Sequence, residues 1–443
     1  MPLRLREEVQ ALPRQAGEGL RRVAQPAAVA SAAAFFALTS TPVAASGTMH
    51  DVAARACAAL TERVNAVPGD GPLFLRSYDA ASGDGPGTEP ALNAAFTYDN
   101  ALAVIALVAC GKTEAAERVG EALLAAATTD RSGETGRLRN AYRPGPVGQS
   151  PLPPMGWWSD AERRWDEDPY QVGTATGNVA WAALALLTLD QATHNPHYRE
   201  GAARLARWTL AGFVDNHPPA GIVGGLYGYD AAPQRLAWKS TEQNTDWAAV
   251  FDWLERLEPD AGWQSPAQRA RDFVAAQWDP AGRFLVGTLP DGTTPNRVNS
   301  GLDAALWPLL LRDAPVEWRG SMIDVVRRHA VGAGFDFNDD RDGIWWEGTA
   351  QAALVERVLG RTADSDRLLA ALAGQFSPGG LVWATDRPRI TTGLALSPQS
   401  TRDDFYYFRL PHLGATAWTA LAALGWNPFI GAGSASQLIP MDH

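Results

Sequence analysis

From residue 49 onward the chain alternates between two kinds of helical segment, and this alternation constrains the fold more than any other feature. Residues 51–66, 113–127, 197–213, 265–277, 317–331 and 362–374 mix charged side chains with an apolar stripe, the pattern of a helix with one wet face. Residues 99–110, 176–189, 241–257, 299–311, 345–359 and 413–424 are apolar nearly all round. A helix without a polar face must be surrounded by protein. Six dry helices alternating with six wet ones describe two concentric rings, so the expected fold is all-α, an (α/α)6 toroid with the dry set inside. Pro308 falls within the fourth dry segment and should kink or restart it.

Loop lengths give this toroid a polarity. Connections after the dry helices are short, as at Gly111-Lys112 and Gly360-Arg361, whereas those before them are long: 128–175, 214–240, 278–298, 332–344 and 375–412. Long loops in a compact domain are usually functional. The site is therefore expected at the face where the inner helices begin, where unpaired N–H groups and positive dipole ends also gather.

Each inner helix opens on a polar cluster. These are Tyr98-Asp99-Asn100, Thr176-Gly177-Asn178, the run from Ser240 through Glu242, Gln243 and Asn244 to Asp246, the run from Asn296 to Asp303, Trp345-Trp346-Glu347, and Tyr406-Tyr407 with Arg409 ahead of His412. Asp99, Glu242 and Glu347 open three different helices, can face one another across a cleft, and are the candidate catalytic carboxylates. Acidic residues also favour a helix's first turn for structural reasons, and Asp99 could be an N-cap. Ser240 and Gln243 have the spacing of a capping box, which leaves Glu242 free for other work. At a helix N-terminus a general acid needs burial or a neighbouring carboxylate such as Asp246 to keep its proton. Candidate substrate-binding residues are Tyr98, Trp157, Trp158, Asp168, Tyr170, Gln171, Asn178, Asp246, Trp346, Tyr406 and Arg409. Asp336, Asn338, Asp340 and Asp342, followed by Glu347, have the oxygen-ligand spacing of a calcium loop, with Arg341 where the turn glycine belongs. The plain alternative is an Asp-rich solvated turn, and no cofactor is expected.

Composition narrows the partners. The formal net charge is −11 and there are only two lysines, so no basic stripe is available for a phosphate backbone; no nucleic acid is expected, and a sugar substrate should be neutral. The 17 tryptophans include Trp157, Trp158, Trp345 and Trp346 in polar stretches that suit the flat faces of sugar rings, while Trp181, Trp253 and Trp418 lie in apolar runs and read as core. No pair of histidines has metal-ligand spacing and two cysteines cannot make a thiolate metal site. Cys57 and Cys110 are expected to be buried free thiols, although an exported chain could oxidise them.

Arg21-Arg22, the apolar run 27–38 and the small residues Val43 and Ala45 before Ser46 have the form of a signal peptide, despite Glu7, Glu8 and Glu18 in a long leading region. The expectation is a signal peptide or N-terminal anchor over 1–45, a single catalytic domain over 46–443, secretion or periplasmic location, and no stable membrane insertion of the mature chain.

The segments WDEDPYQVGTATGNVAW, STEQNTDWAAVFDWL and WWEGTAQAALV, set in six hairpins over roughly 50–428, resemble secreted bacterial members of the six-hairpin glycosidase superfamily. The resemblance implies an (α/α)6 barrel with acidic catalytic residues at the N-terminal ends of inner helices, and mostly inverting hydrolysis of oligo- or polysaccharides. A glycoside hydrolase or transglycosidase is the leading expectation. A polysaccharide lyase or sugar epimerase using His412, Tyr406 or Tyr407 as base, and a carbohydrate-binding protein without catalysis, are the alternatives, because a fold does not fix a function.

Overall fold

A computed structural model describes residues 42–80, 93–148, 150, 152–400 and 405–433; residues 1–41 of the expected 1–45 signal segment lie outside them. Twelve helices form the body. The odd-numbered ones are α1 (Pro42–Asn65), α3 (Thr113–Thr128), α5 (Pro196–Gly212), α7 (Gln264–Ala276), α9 (Ser321–His329) and α11 (Thr362–Ala373). The even-numbered ones are α2 (Thr97–Ala109), α4 (Thr176–Thr193), α6 (Thr241–Leu257), α8 (Leu302–Leu306), α10 (Trp346–Val358) and α12 (Leu413–Leu424). Even helices pack on even neighbours, and α12 packs on α2, which closes an inner ring; the odd helices lie outside it. This is the (α/α)6 barrel, with strands of only two or three residues confined to the loops.

Side-chain pattern decides which ring a helix joins. In α3, Ala115, Ala116, Val119, Ala122, Leu123 and Ala126 recur at helical spacing and are buried, with Glu114 exposed on the other side. In α4 every residue from Val179 to Asp190 is buried. A left-handed His194 stops α4, and Asn195, whose Oδ1 accepts from the His197 amide at 3.2 Å, starts α5 with Pro196 in its first turn. Pro308 acts as expected: α8 ends at Leu306 and continues as a 3-10 turn over Trp307–Leu310.

A cycle of backbone hydrogen bonds fastens the rim where the inner helices begin. The first amide of each inner helix donates to a carbonyl in the loop leading to the next one: Thr97 to Asn140, Thr176 to Gly224, Thr241 to Val286, Leu302 to Phe337, Trp346 to Ala384, and Leu413 back to Ser77, all at 2.8–3.0 Å. Helix N-termini leave such donors without intrahelical partners, so each bond fills a need of the helix while fixing the next loop. Side chains repeat the lock. Thr97 and Thr176 donate their hydroxyls to the carbonyls of Arg139 and Val223. Asn100 and Asn244 clamp Leu75 and Ile222 in both directions.

One expectation is overturned here. Cys57 of α1 and Cys110 after α2 form a disulfide with Cα atoms 5.7 Å apart, because both helices flank the closure of the ring. They are not free thiols.

Candidate active site

The long loops and the inner-helix N-termini enclose a cleft of about 430 Å³ to which all six inner helices or their leading residues contribute. Its polar wall falls into two groups.

The first group joins α2, α10 and α12. Asp99 is the third residue of α2 and not its cap, since that helix has no side-chain cap. Its carboxylate stands 3.3 Å from His412 Nε2, and Glu347 Oε2 stands 3.4 Å from His412 Nδ1. Gly414 permits this convergence: a Cβ there would lie 2.6 Å from Asp99 Oδ1 and 2.9 Å from Glu347 Oε2. Glu347 Oε1 accepts from the Tyr98 hydroxyl at 2.7 Å, and that hydroxyl accepts from Trp418 Nε1 at 2.9 Å. In the neutral imidazole Nδ1 accepts from the Ala415 amide at 3.3 Å and Nε2–H donates to Asp99. Protonation turns Nδ1 into a donor aimed at Glu347, so the two residues' protonation states are linked. Burial, and after it the Asp99 charge, push the Glu347 carboxyl up to about 7, against the pull of His412. Burial disfavours a charged His412, yet Asp99 and Glu347 outweigh it and raise the imidazole above its ordinary value.

The second group joins α6 and α8. Glu242, Asp246 and Asp303 share one wall, with Glu242 and Asp303 hydrogen-bonded to each other. Burial first, and then the neighbouring carboxylates, hold Glu242 and Asp246 well above the usual range; burial also raises Asp303. Ser240 caps α6, accepting from the Gln243 amide at 3.4 Å, but the Gln243 side chain lies 2.9 Å from the Thr176 hydroxyl and does not complete a capping box. Gly177 leaves room for this wall, since a Cβ there would lie 2.8 Å from Gln243 and 3.3 Å from Asp246. Burial raises Tyr170 too, followed by Glu242, Asp168 and Asp99, so its hydroxyl lies in the field of both groups.

Aromatic rings complete the cleft. Tyr78 stacks on the His412 imidazole at 4.3 Å, and Phe337, Trp345 and Tyr407 pack together beside it. Trp181, Trp307 and Trp418 meet one another beneath Tyr98. Trp181 and Trp418 are thus core as expected, but Trp181 is also part of the cleft wall.

Of the residues singled out from sequence, Tyr98, Asp99, Asp168, Tyr170, Gln171, Asn178, Glu242, Asp246, Glu347 and Tyr406 all line this cleft. Asp168 also caps a single-turn helix, Pro169–Val172, and Asn178 donates to Asn140 at 2.8 Å. Four others are elsewhere. Trp346 is 3% exposed and packs in the core, one helical step away from Trp345, which takes the cleft position. Trp157 and Trp158 lie on a hairpin, Trp157–Ser159 with Arg164–Asp166, outside the cleft wall, and Trp158 is 56% exposed. Arg409 lays its guanidinium over Trp383 at 4.2 Å. Glu347 belongs to the cleft and not to the Asp336–Asp342 loop, so the expected calcium-loop spacing loses its last ligand. His412 and Asp303 carried a positional signal, each standing at an inner-helix start; Tyr78, Leu394 and Phe405 came from irregular loops without one.

No protein-family model matches the chain, and no curated protein sequence matches it. Solved structures do resemble it in fold. A substituted form of a glycosidase is 14% identical with a TM-score of 0.57, over 87% of this chain and 99% of the other. A variant of a glycosidase in complex with glucose is 14% identical with a TM-score of 0.56 over the same shares. A GH76 alpha-mannanase of Bacteroides thetaiotaomicron is 11% identical with a TM-score of 0.54, over 87% of this chain and 98% of the other.

Proposed function

We propose that the protein is a glycoside hydrolase acting on a neutral oligosaccharide or on the end of a neutral polysaccharide. The observation that carries this reading is the pairing, within one aromatic-walled cleft, of buried carboxyls held towards their protonated form with the Asp99–His412 pair. Glycosidic hydrolysis needs one carboxyl that keeps its proton for the leaving oxygen and another that is ionised to activate water or to attack. Glu242, sharing a hydrogen bond with Asp303, is assigned as the proton donor. Asp99, paired with His412, is assigned to the opposite role, and Glu347 holds Tyr98 and His412 in place beside it. Fold similarity to glycosidases supports this reading without fixing the sugar or the linkage.

Charge and size support the substrate class. Among the described lining residues there is no lysine or arginine. A lyase abstracts a proton beside a uronate carboxylate, whose charge must be neutralised, and a wall rich in carboxyls works against that. The volume of about 430 Å³ lies in the range of small-ligand pockets, ~300–1,000 Å³, which suits a few sugar units better than a long stretch of polymer.

The decisive experiment is turnover of neutral oligosaccharides by purified protein and its Glu242→Gln form, with released sugars resolved by chromatography. Replacing the carboxyl by an amide removes proton donation while keeping shape, so kcat should fall by about 10²- to 10⁴-fold. Near-normal turnover in Glu242→Gln would remove Glu242 from the mechanism. Failure of the native protein to cleave any neutral glycan would overturn the function.

A further inference from the structure

A second acidic group lies outside the cleft, in the loop between α9 and α10. Asp336, Asp340 and Asp342 each bring a carboxylate oxygen within 4.8 Å of the others. Oxygens bound to one calcium ion lie about 2.3–2.6 Å from it, so opposite ligands are separated by about this spacing. Asp336 is fully buried; its Oδ1 accepts from the Phe337 amide at 2.7 Å, while its Oδ2 is buried without a hydrogen-bond partner. Among the described residues neither Asp336 nor Asp340 has an ion-pair partner. The two exposed carboxylates are nonetheless positioned. Asp340 Oδ1 accepts from the Asp342 amide at 3.1 Å, its Oδ2 accepts from the Thr391 hydroxyl, and Asp342 Oδ2 accepts from the Thr391 amide at 3.0 Å. Each carboxylate oxygen has two lone pairs, so these bonds orient Asp340 without exhausting it.

A buried carboxylate oxygen short of donors, its carboxyl helped by the Phe337 and Gly343 amides and set within 4.8 Å of two further carboxylate oxygens, is costly unless a proton or a cation lies between them. We propose that Asp336, Asp340 and Asp342 form a calcium site, with Asp336 Oδ2 as its buried ligand. The donor set is all hard oxygen, which selects against zinc and copper. Two of the three ligands are solvent-exposed and set on a loop, which suits the adaptable coordination of calcium better than the near-ideal octahedron of magnesium. Thr391 belongs to the strand Arg389–Thr391, paired with Tyr406–Phe408, whose Tyr406, Tyr407 and Phe408 line the cleft. The ion therefore clamps one wall of the cleft to the loop that leads into Glu347. This inference does not rest on the glycosidase reading.

The test uses the full chain, stripped with a chelator and titrated calorimetrically with calcium chloride, alongside thermal unfolding with and without the ion. One saturable site per chain is expected, with Kd of about 10⁻⁵–10⁻³ M. At a hundredfold excess over Kd the unfolding constant should drop about a hundredfold. Asp336→Asn should abolish binding. Asp342→Asn, at an exposed position, should weaken it at least ~10-fold while leaving the calcium-free melting temperature unchanged; should Asp336→Asn not fold, Asp342→Asn carries the test. No saturable heat up to ~10 mM calcium, unchanged affinity in the variants that fold, or magnesium binding as tight as calcium would overturn the proposal.

Discussion

Replacing Glu347 by Gln offers a test in which stability and chemistry change in opposite directions. Glu347 is 1% exposed, and burial pushes its carboxyl from the ordinary 4.5 up to about 7. A carboxyl raised in the folded state keeps a proton that the unfolded chain has already released, so its contribution is complete below about pH 4.5 and is lost as pH rises to about 7. At 1.36 kcal/mol per pH unit that loss is on the order of 3 kcal/mol. For roughly 400 ordered residues it corresponds to a melting-temperature change of about 4 °C. The amide still accepts from Tyr98 and cannot ionise, so Glu347→Gln should match the native protein at pH 4.5 and exceed its stability by about 3 kcal/mol at pH 8. Its turnover, in contrast, should fall by about 10²-fold or more at every pH. Urea unfolding of both proteins across pH 4.5–8 reads the first effect. Parallel stability profiles would refute the buried, proton-retaining carboxyl, whatever the kinetics show.

Two further outcomes test which side chains hold the scaffold. Trp346→Ala should cost about 3–5 kcal/mol in chemical unfolding because the indole is buried in the core, whereas Trp158→Ala should leave stability within about 0.5 kcal/mol of native. Replacing both Cys57 and Cys110 by Ala releases a loop of 53 residues and should lower stability by about 2–4 kcal/mol, read as a shift of the urea midpoint that reductant reproduces in the native protein.

The barrel was legible in the sequence because ring membership is written in hydrophobic pattern: α6 and α12 begin and end where the apolar runs do, and Pro308 marks the break in α8. The position of the cleft followed from loop polarity, and Asp99, Glu242 and Glu347 all line it. Pattern could not resolve a rotation of one residue. Trp345 and Trp346 are chemically identical and both buried, and only the angle at the helix start puts Trp345, and not Trp346, on the cleft wall. Nor could it weigh polar residues that serve the scaffold: Asn244 and Lys239, near Glu242, are consumed in holding Ile222 and the 215–219 turn. The disulfide was missed because its distance depends on the ring closing, which no local pattern records.

Closure also sets the order in which this molecule can come into being. Asp99 leaves the ribosome 313 residues before His412, an interval of about 15–60 s at ordinary elongation rates. Throughout that time α2 has no α12 to cover its apolar side, and the carboxylate of Asp99 has no imidazole beside it. A nascent chain that stops before His412 therefore carries most of a scaffold, with Asp99 and Glu347 in place but without the imidazole that joins them. The three-residue group is complete only when the final inner helix begins.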